Sequence, residues 1–308
     1  MRNWMGVGIS MAAMFLGGPA WTKAVDDPLL RPIALASSKR WLAPQAPIRL
    51  HGQTYLVGFG GLNVALIKTN AGLILIDGAV PQAVRDVEAN IRALGFSIRD
   101  VKLILSTEPH FDHAGGLAAL ARDSGATVVA SAPAAAVLRT GGIDPDDPQA
   151  AWLERFPAVR RLRTVKDGEE IRLGDTVITA VATPGHTMGS MSWRWKSCEG
   201  RQCATMVFGS SLNPIAADGY AFSDPAHRPV VDAFRATFAK VGAMDCDLLI
   251  TAHPDPADPA KLARLRAKRV PNAFIDPTAC RRYADRAAGM LDKKLAAEGE
   301  TRSYSRGQ

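Results

Sequence analysis

Just after a stretch that reads as a buried strand, Val101 to Ser106, the chain sets Glu108, His110, Asp112 and His113 within six positions. Two later histidines also close strand-like runs: His186 in Thr183-Pro-Gly-His-Thr-Met-Gly-Ser190, and His253 in Leu249-Ile-Thr-Ala-His-Pro254. Side chains of this kind can meet only if the strands that carry them end along one edge. In extended backbone, residues i and i+2 point to the same side, so Glu108 and His110 can grip one ion. Asp112 and His113 fall at the turn into the next helix and can face a second position nearby. Gly115-Gly116 lets the backbone pass close to that cluster. The six side chains suffice for two three-ligand zinc sites, each with an open position. Of the six histidines in the chain, only His51 and His227 stand outside this set. One histidine at a strand end is ordinarily a satisfied polar residue, but the whole combination is not explained that way.

The rest of the pattern supplies the strands and helices that such a site needs. Tyr55 to Phe59, Asn63 to Thr69 and Leu73 to Asp77 read as strands of hairpins, after a Pro-rich approach at Pro44 and Pro47. Val84, Val87, Ile91 and Leu94 share one face of a helix over 82–95. Helix follows the motif at 117–122, then a strand from Thr127 and a helix near 133–139. Residues 141–158, with Gly141-Gly142 and Asp144-Pro-Asp-Asp-Pro148, read as loop. In the second half, strands are expected near 162–165, 169–173, 176–182, 190–196, 204–209 and 247–251. Helices are expected at 229–241 and 278–297. Two runs of strands, each followed by helices, predict two sheets packed face to face with helices outside, in one domain over 25–308.

Residues 1–24 read as a secretory signal: Arg2, an apolar stretch from Met5 to Leu16, the break Gly17-Gly18-Pro19, and small residues to Ala24. The apolar stretch is too short to span a membrane. Four cysteines allow three pairings. Cys198 and Cys203 enclose only Glu-Gly-Arg-Gln between strand-like runs and can staple locally, which leaves Cys246 to tie a strand to the C-terminal helix at Cys280. Disulfides persist outside the cytosol, in agreement with the leader. The hydrophobic share of 47% excludes a disordered chain, and a net charge of +7 without basic runs does not point to nucleic acid.

Glu108-Pro-His110-Phe-Asp112-His113 with the two later histidines resembles the metallo-β-lactamase superfamily, whose signature is H-x-H-x-D-H. The resemblance covers nearly all of 40–298 and is greatest to the third subclass of class B β-lactamases. It is carried by the leader, Trp41 to Pro47, Gly60-Gly-Leu-Asn-Val-Ala-Leu-Ile, Thr183-Pro-Gly-His-Thr, Ser211-Leu-Asn213 and the Cys246/Cys280 pair. It implies an αβ/βα four-layer sandwich of two mixed sheets and two Zn2+ ions. The first ion would be held by Glu108, His110 and His186, and the second by Asp112, His113 and His253. It further implies a periplasmic, monomeric hydrolase, free of the membrane after signal cleavage, acting on small-molecule β-lactams. The lactam C–N bond would be opened by a zinc-bound hydroxide that Asp112 orients, with Ser211 and Asn213 recognising the substrate carboxylate. The hairpin around Phe59 and the hydrophobes of 141–158 would wall the groove.

Glu108 departs from the pattern, which has histidine there. Zinc accepts a His2Glu set, but the anion lowers the charge of that centre by one unit, which predicts a less acidic bound water. Lactonases, thioesterases and iron-dependent dioxygenases of the superfamily resemble one another in an acidic residue after the strand that leads into Val207-Phe-Gly-Ser-Ser-Leu-Asn-Pro214. No Asp or Cys occurs at that turn here. A lactonase or thioesterase is the alternative reading. Non-heme iron, which also suits two histidines and a carboxylate, competes with a complete second set.

Overall fold

A computed structural model describes residues 26–254 and 274–306; the signal-peptide reading of 1–24 lies outside the described residues. In chain order the elements are α1 (Leu35–Trp41), β1 (Ile48–His51), β2 (Thr54–Leu56), β3 (Ala65–Thr69), β4 (Gly72–Ile76), α2 (Val84–Ala93), β5 (Val101–Leu105), α3 (Phe111–Ala114), α4 (Leu117–Ser124), β6 (Thr127–Ser131) and α5 (Ala132–Thr140). The second half adds β7 (Leu162–Val165), β8 (Glu170–Leu173), β9 (Thr176–Ala182), β10 (Met191–Glu199), β11 (Gln202–Gly209), α6 (Arg228–Gly242), β12 (Leu248–Thr251) and α7 (Ala279–Arg306).

One sheet runs β1-β2-β3-β4-β5-β6-β7 and the other β12-β11-β10-β9-β8. Both are mixed: β4 to β7 pair parallel, as do β11 and β12, while the hairpins are antiparallel. The period of two along β4 shows how the layers form. Leu73 and Leu75 face α2 and α4, whereas Ile74 and Ile76 enter the layer between the sheets. There they meet Trp193, Trp195, Met206 and Phe208 of the opposite sheet. The outer face of the second sheet is covered by α6 and α7 through Phe234, Phe238, Ala284 and Leu291. Helices, sheet, sheet and helices form the expected four-layer sandwich, and each large apolar side chain buried in it contributes roughly 1.5–3 kcal/mol.

Both sequence-expected disulfides are present. Cys198–Cys203 closes the β10–β11 hairpin behind the two-residue turn Gly200-Arg201, where Gly200 has φ +60°. Cys246–Cys280 ties the approach to β12 to the start of α7. Among the described residues no helix is long and apolar enough to cross a membrane.

Three local readings differ from the sequence expectation. The helix α1 and strand β1 occupy the stretch read only as a Pro-rich approach. The strand expected to reach Phe59 ends at Leu56, because Gly60 and Gly61 turn the chain back onto α1. A Cβ on Gly61 would sit 2.6 Å from the Trp41 Cα, so only glycine allows that approach. Phe59 therefore packs into the core under the helices, 3% exposed, and does not wall a groove.

The edge that matters is where β4, β5, β9, β11 and β12 all end. Ligand sites in sheets of this kind lie beyond strand carboxyl ends. The two sheets are tied there by the Met191 N–H donating to the Thr107 carbonyl at 2.7 Å.

Candidate metal centre

All six sequence-predicted side chains converge on this edge, in two groups whose ligand atoms lie within 4.8 Å of one another: Glu108, His110 and His186, and Asp112, His113 and His253. Glu108 and His110 come from the loop after β5, and Asp112 and His113 from the single turn of α3. His186 follows β9, and His253 follows β12. The α3 turn is held by a close clasp. The Gly78 N–H donates to the His113 carbonyl, the Gly116 N–H donates to the Ala79 carbonyl, and a Cβ on Gly116 would fall 2.1 Å from the Gly78 carbonyl oxygen. Asp77 and Ala79 flank this clasp with φ of 65° and 55°, a left-handed conformation that costs a non-glycine residue on the order of 1–3 kcal/mol.

Every imidazole has its outer nitrogen engaged. His110 Nε2 donates to Asp147 Oδ2 at 2.9 Å, and His186 Nδ1 to the Asn213 carbonyl at 2.9 Å. His253 Nδ1 donates to the Gly61 carbonyl at 3.1 Å, and His113 Nδ1 lies 3.4 Å from Asp77 Oδ2. Fixing one ring nitrogen as a donor leaves the lone pair of the other aimed inward, the arrangement that ligating histidines adopt. Asp77 is anchored in turn by the Thr107 N–H at 2.8 Å and the Thr107 hydroxyl at 2.6 Å.

The inner atoms are crowded with acceptors. His113 Nε2 and His253 Nε2 are 3.2 Å apart, and Asp112 Oδ2 lies 3.4 and 3.1 Å from them. Glu108 Oε2 accepts the Ser211 N–H at 2.9 Å, while Glu108 Oε1 is buried without a hydrogen-bond donor. That oxygen lies 3.2 Å from His113 Nε2 and 3.6 Å from His186 Nε2, so Glu108 stands between the two groups as well as within the first. A buried carboxylate oxygen without a donor is costly unless a cation satisfies it. The donor chemistry thus fits two divalent cations.

Burial alone would raise the Glu108 pKa, but the facing imidazoles of His113, His186 and His110 outweigh it and hold the carboxyl at about 2. Asp112 is held well below the ordinary range, against the same burial penalty, by His113 and His253. Burial lowers His186 and keeps it neutral, which is the ligating form. Burial also opposes the charge on His113, yet Asp112 and Glu108 raise it well above its usual value.

Ser211 and Asn213 also reach the cluster, through backbone groups: the Ser211 N–H on Glu108 and the Asn213 carbonyl on His186. Sequence reading did not single out Asp77, Asp147, Gly61 or Gln149. Gln149 Nε2 approaches His186 Nε2 to 3.2 Å, and its backbone N–H donates to Asp147 Oδ1 at 2.8 Å. A lone acid closing the apolar strand Leu73–Ile76 was the one available signal for Asp77. Asp147 is one of four acids in the loop 141–158, and nothing local distinguishes it. Replacing Asp147 by alanine is expected to weaken divalent-metal binding at the first group by about 10–100-fold. Chelator competition measures this, and unchanged affinity would show that the His110 hydrogen bond is incidental.

Comparison with known proteins places these features in context. The family model described as the metallo-beta-lactamase superfamily matches residues 57–253. A solved structure described as the first B3 metallo-beta-lactamase with an active site glutamic acid is 53% identical. The match covers 89% of this chain and 98% of that one, with a TM-score of 0.81. The Rm3 metallo-beta-lactamase is 41% identical over 87% of this chain and 100% of its own, with a TM-score of 0.83. Among curated proteins, an acyl-coenzyme A thioesterase MBLAC2 of Gallus gallus is 29% identical over 147 residues, 39% of this chain and 52% of that protein. The chain spans about half or less of the length of the curated relatives it matches first.

Proposed function

Because the chain belongs to the metallo-beta-lactamase superfamily, we propose that it is a zinc-dependent β-lactamase of the B3 kind, opening the lactam C–N bond of β-lactam antibiotics. The observation that carries the reading is the pair of donor sets, each two histidines and a carboxylate, with every outer imidazole nitrogen held by an acceptor. Likeness over nearly the whole length of solved B3 enzymes supports the substrate class.

Glu108, His110 and His186 would hold one zinc, and Asp112, His113 and His253 the other. Bound zinc supplies Lewis acidity, which polarises a carbonyl and brings the pKa of water to about 7. The chain's own groups supply position and charge. Asp112, whose carboxyl His113 and His253 hold well below the ordinary range, would accept a hydrogen bond from the attacking water and direct its lone pair at the lactam carbonyl. Ser211 and Asn213, whose backbone groups hold Glu108 and His186, would bind the substrate carboxylate through the Ser211 hydroxyl and the Asn213 amide. Three exposed hydrophobes close in sequence to these residues would offer apolar walls: Met188, two residues beyond His186; Ile215, two beyond Asn213; and Trp152, three beyond Gln149. The leader and the two disulfides support a periplasmic location, with one hydrolase domain over 25–308.

Hydrolysis of a chromogenic cephalosporin, abolished by a chelator and restored by zinc, is the expected result. No turnover by protein carrying two zincs would overturn the proposal. The thioesterase match supports a second reading, hydrolysis of thioesters or lactones, and a panel of both separates the two. Against it stands the turn after β11, where Gly209-Ser-Ser-Leu-Asn offers no carboxylate.

The Glu108 carboxylate also makes a prediction. Glu108→His removes one negative charge from the first set, so stronger carbonyl polarisation and faster hydrolysis are expected at equal zinc loading. Zinc affinity and kcat that both match the parent would refute this account of the charge.

A further inference from the structure

The loop that leaves β11 is bonded alternately inward and outward. Inward, the Ser211 N–H donates to Glu108 Oε2 at 2.9 Å and the Asn213 carbonyl accepts from His186 Nδ1 at 2.9 Å. Outward, both bonds go to one hydroxyl on α7: Tyr283 Oη donates to the Ser210 carbonyl at 2.9 Å and accepts the Leu212 N–H at 3.1 Å. The Tyr283 ring is half-buried and lies over the end of β11, where a Cβ on Gly209 would be 3.4 Å from its Cε1. Cys280, one turn earlier on α7, fixes the helix through the Cys246 disulfide. A single hydroxyl thus bridges the two residues on either side of Ser211, and it touches none of the six candidate ligands in the hydrogen bonds of this loop.

We propose that Tyr283 is a positioning residue for the Glu108–His186 donor set, acting through the loop 210–213. Without the hydroxyl, the Ser210 carbonyl and Leu212 N–H lose their common partner. The Ser211 N–H and the Asn213 carbonyl are then held less firmly against Glu108 Oε2 and His186 Nδ1, because the turn keeps only its other bonds, the Ser210 N–H to Ser192 Oγ at 3.1 Å and the Ser210 hydroxyl to Thr183 Oγ1 at 2.8 Å. The second donor set, built from α3 and the loop after β12, meets this turn only indirectly, through Glu108 Oε1 at 3.2 Å from His113 Nε2, so the larger effect falls on the first set. The inference rests on the reading that the two sets bind zinc.

The test is Tyr283→Phe in the full-length, disulfide-bonded protein, with Tyr55→Phe as a hydroxyl deletion remote from the turn. Zinc affinity is measured at both sites by chelator competition, and the His186 imidazole N–H by proton NMR with and without zinc. The expected result is a loss of about tenfold in affinity at the Glu108–His186 site, larger than any loss at the other, a shifted His186 N–H resonance, and neither change in Tyr55→Phe. Tyr283→Leu, which keeps apolar packing and also lacks the hydroxyl, must reproduce both changes and stands in if Tyr283→Phe folds poorly. Equal affinities with an unmoved resonance would overturn the proposal. If the parent protein binds no zinc, the ligand reading falls by itself. The metal-free His186 resonance then decides the positioning role, and an unmoved signal in either variant refutes it.

Discussion

Asp112→Asn is expected to lower hydrolysis of a chromogenic cephalosporin by at least about a hundredfold, since even hydrogen-bond partners behind a metal ligand are worth 10–100-fold. Asn keeps the shape of the side chain and removes its charge. In the parent, Asp112 Oδ2 faces His113 Nε2 at 3.4 Å and His253 Nε2 at 3.1 Å, and the three form the second donor set. The neutral amide leaves two imidazoles without an anionic co-ligand, so the second zinc is lost or loosely held. The same change removes the acceptor proposed to orient water, so kcat falls even at saturating zinc. Elemental analysis and kcat, measured on one preparation across a zinc titration, separate the two effects. Two tightly bound zincs with parental kcat would eliminate Asp112 from both roles.

Loss of the Cys246–Cys280 disulfide is expected to have the largest effect on stability. It closes a separation of 34 residues, which in the chain-entropy account is worth about 4 kcal/mol at 25 °C. For a chain of this size that corresponds to a fall in Tm of about 6–7 °C. Both sulfurs are buried, Cys246 at 3% and Cys280 at 1% exposure, in the apolar layer shared by α6 and α7. Alanine at both positions avoids stranded thiols. Cys198–Cys203 has a separation of only five residues at an exposed hairpin tip, so its removal should cost about half as much. Thermal melts of the two double variants test the ranking. A Cys198/Cys203 variant that is the less stable of the two would refute the loop-length explanation.

Much of this arrangement was legible in the sequence for particular reasons. Leu73–Ile76 is a continuous apolar run, as a strand covered on both faces requires, and Val101–Leu105 is apolar but for the exposed Lys102. The six metal-capable side chains were legible because their types are uncommon together and fall at, or just after, the ends of such runs. What holds them was not. Two of the four outer acceptors are main-chain carbonyls, of Gly61 and Asn213, and every residue carries a carbonyl; only tertiary structure selects those two. Phe59 was misplaced because an aromatic in a hairpin pattern reads the same whether it faces solvent or the layer beneath the helices. Tyr283 lies 71 positions from Leu212, and no local pattern joins them.

The substitution of glutamate at 108 has a consequence for how the two sites fill. Each set now has one anionic oxygen and two ring nitrogens, and each has one ring backed by a carboxylate (Asp147 or Asp77) and one by a carbonyl. With matching formal charge, the sites differ chiefly in access to solvent. His253 is the one ring with substantial exposure, 33% of its side chain, against 6% or less for the other three. If both sets bind zinc, ions are expected to exchange sooner at the Asp112 side.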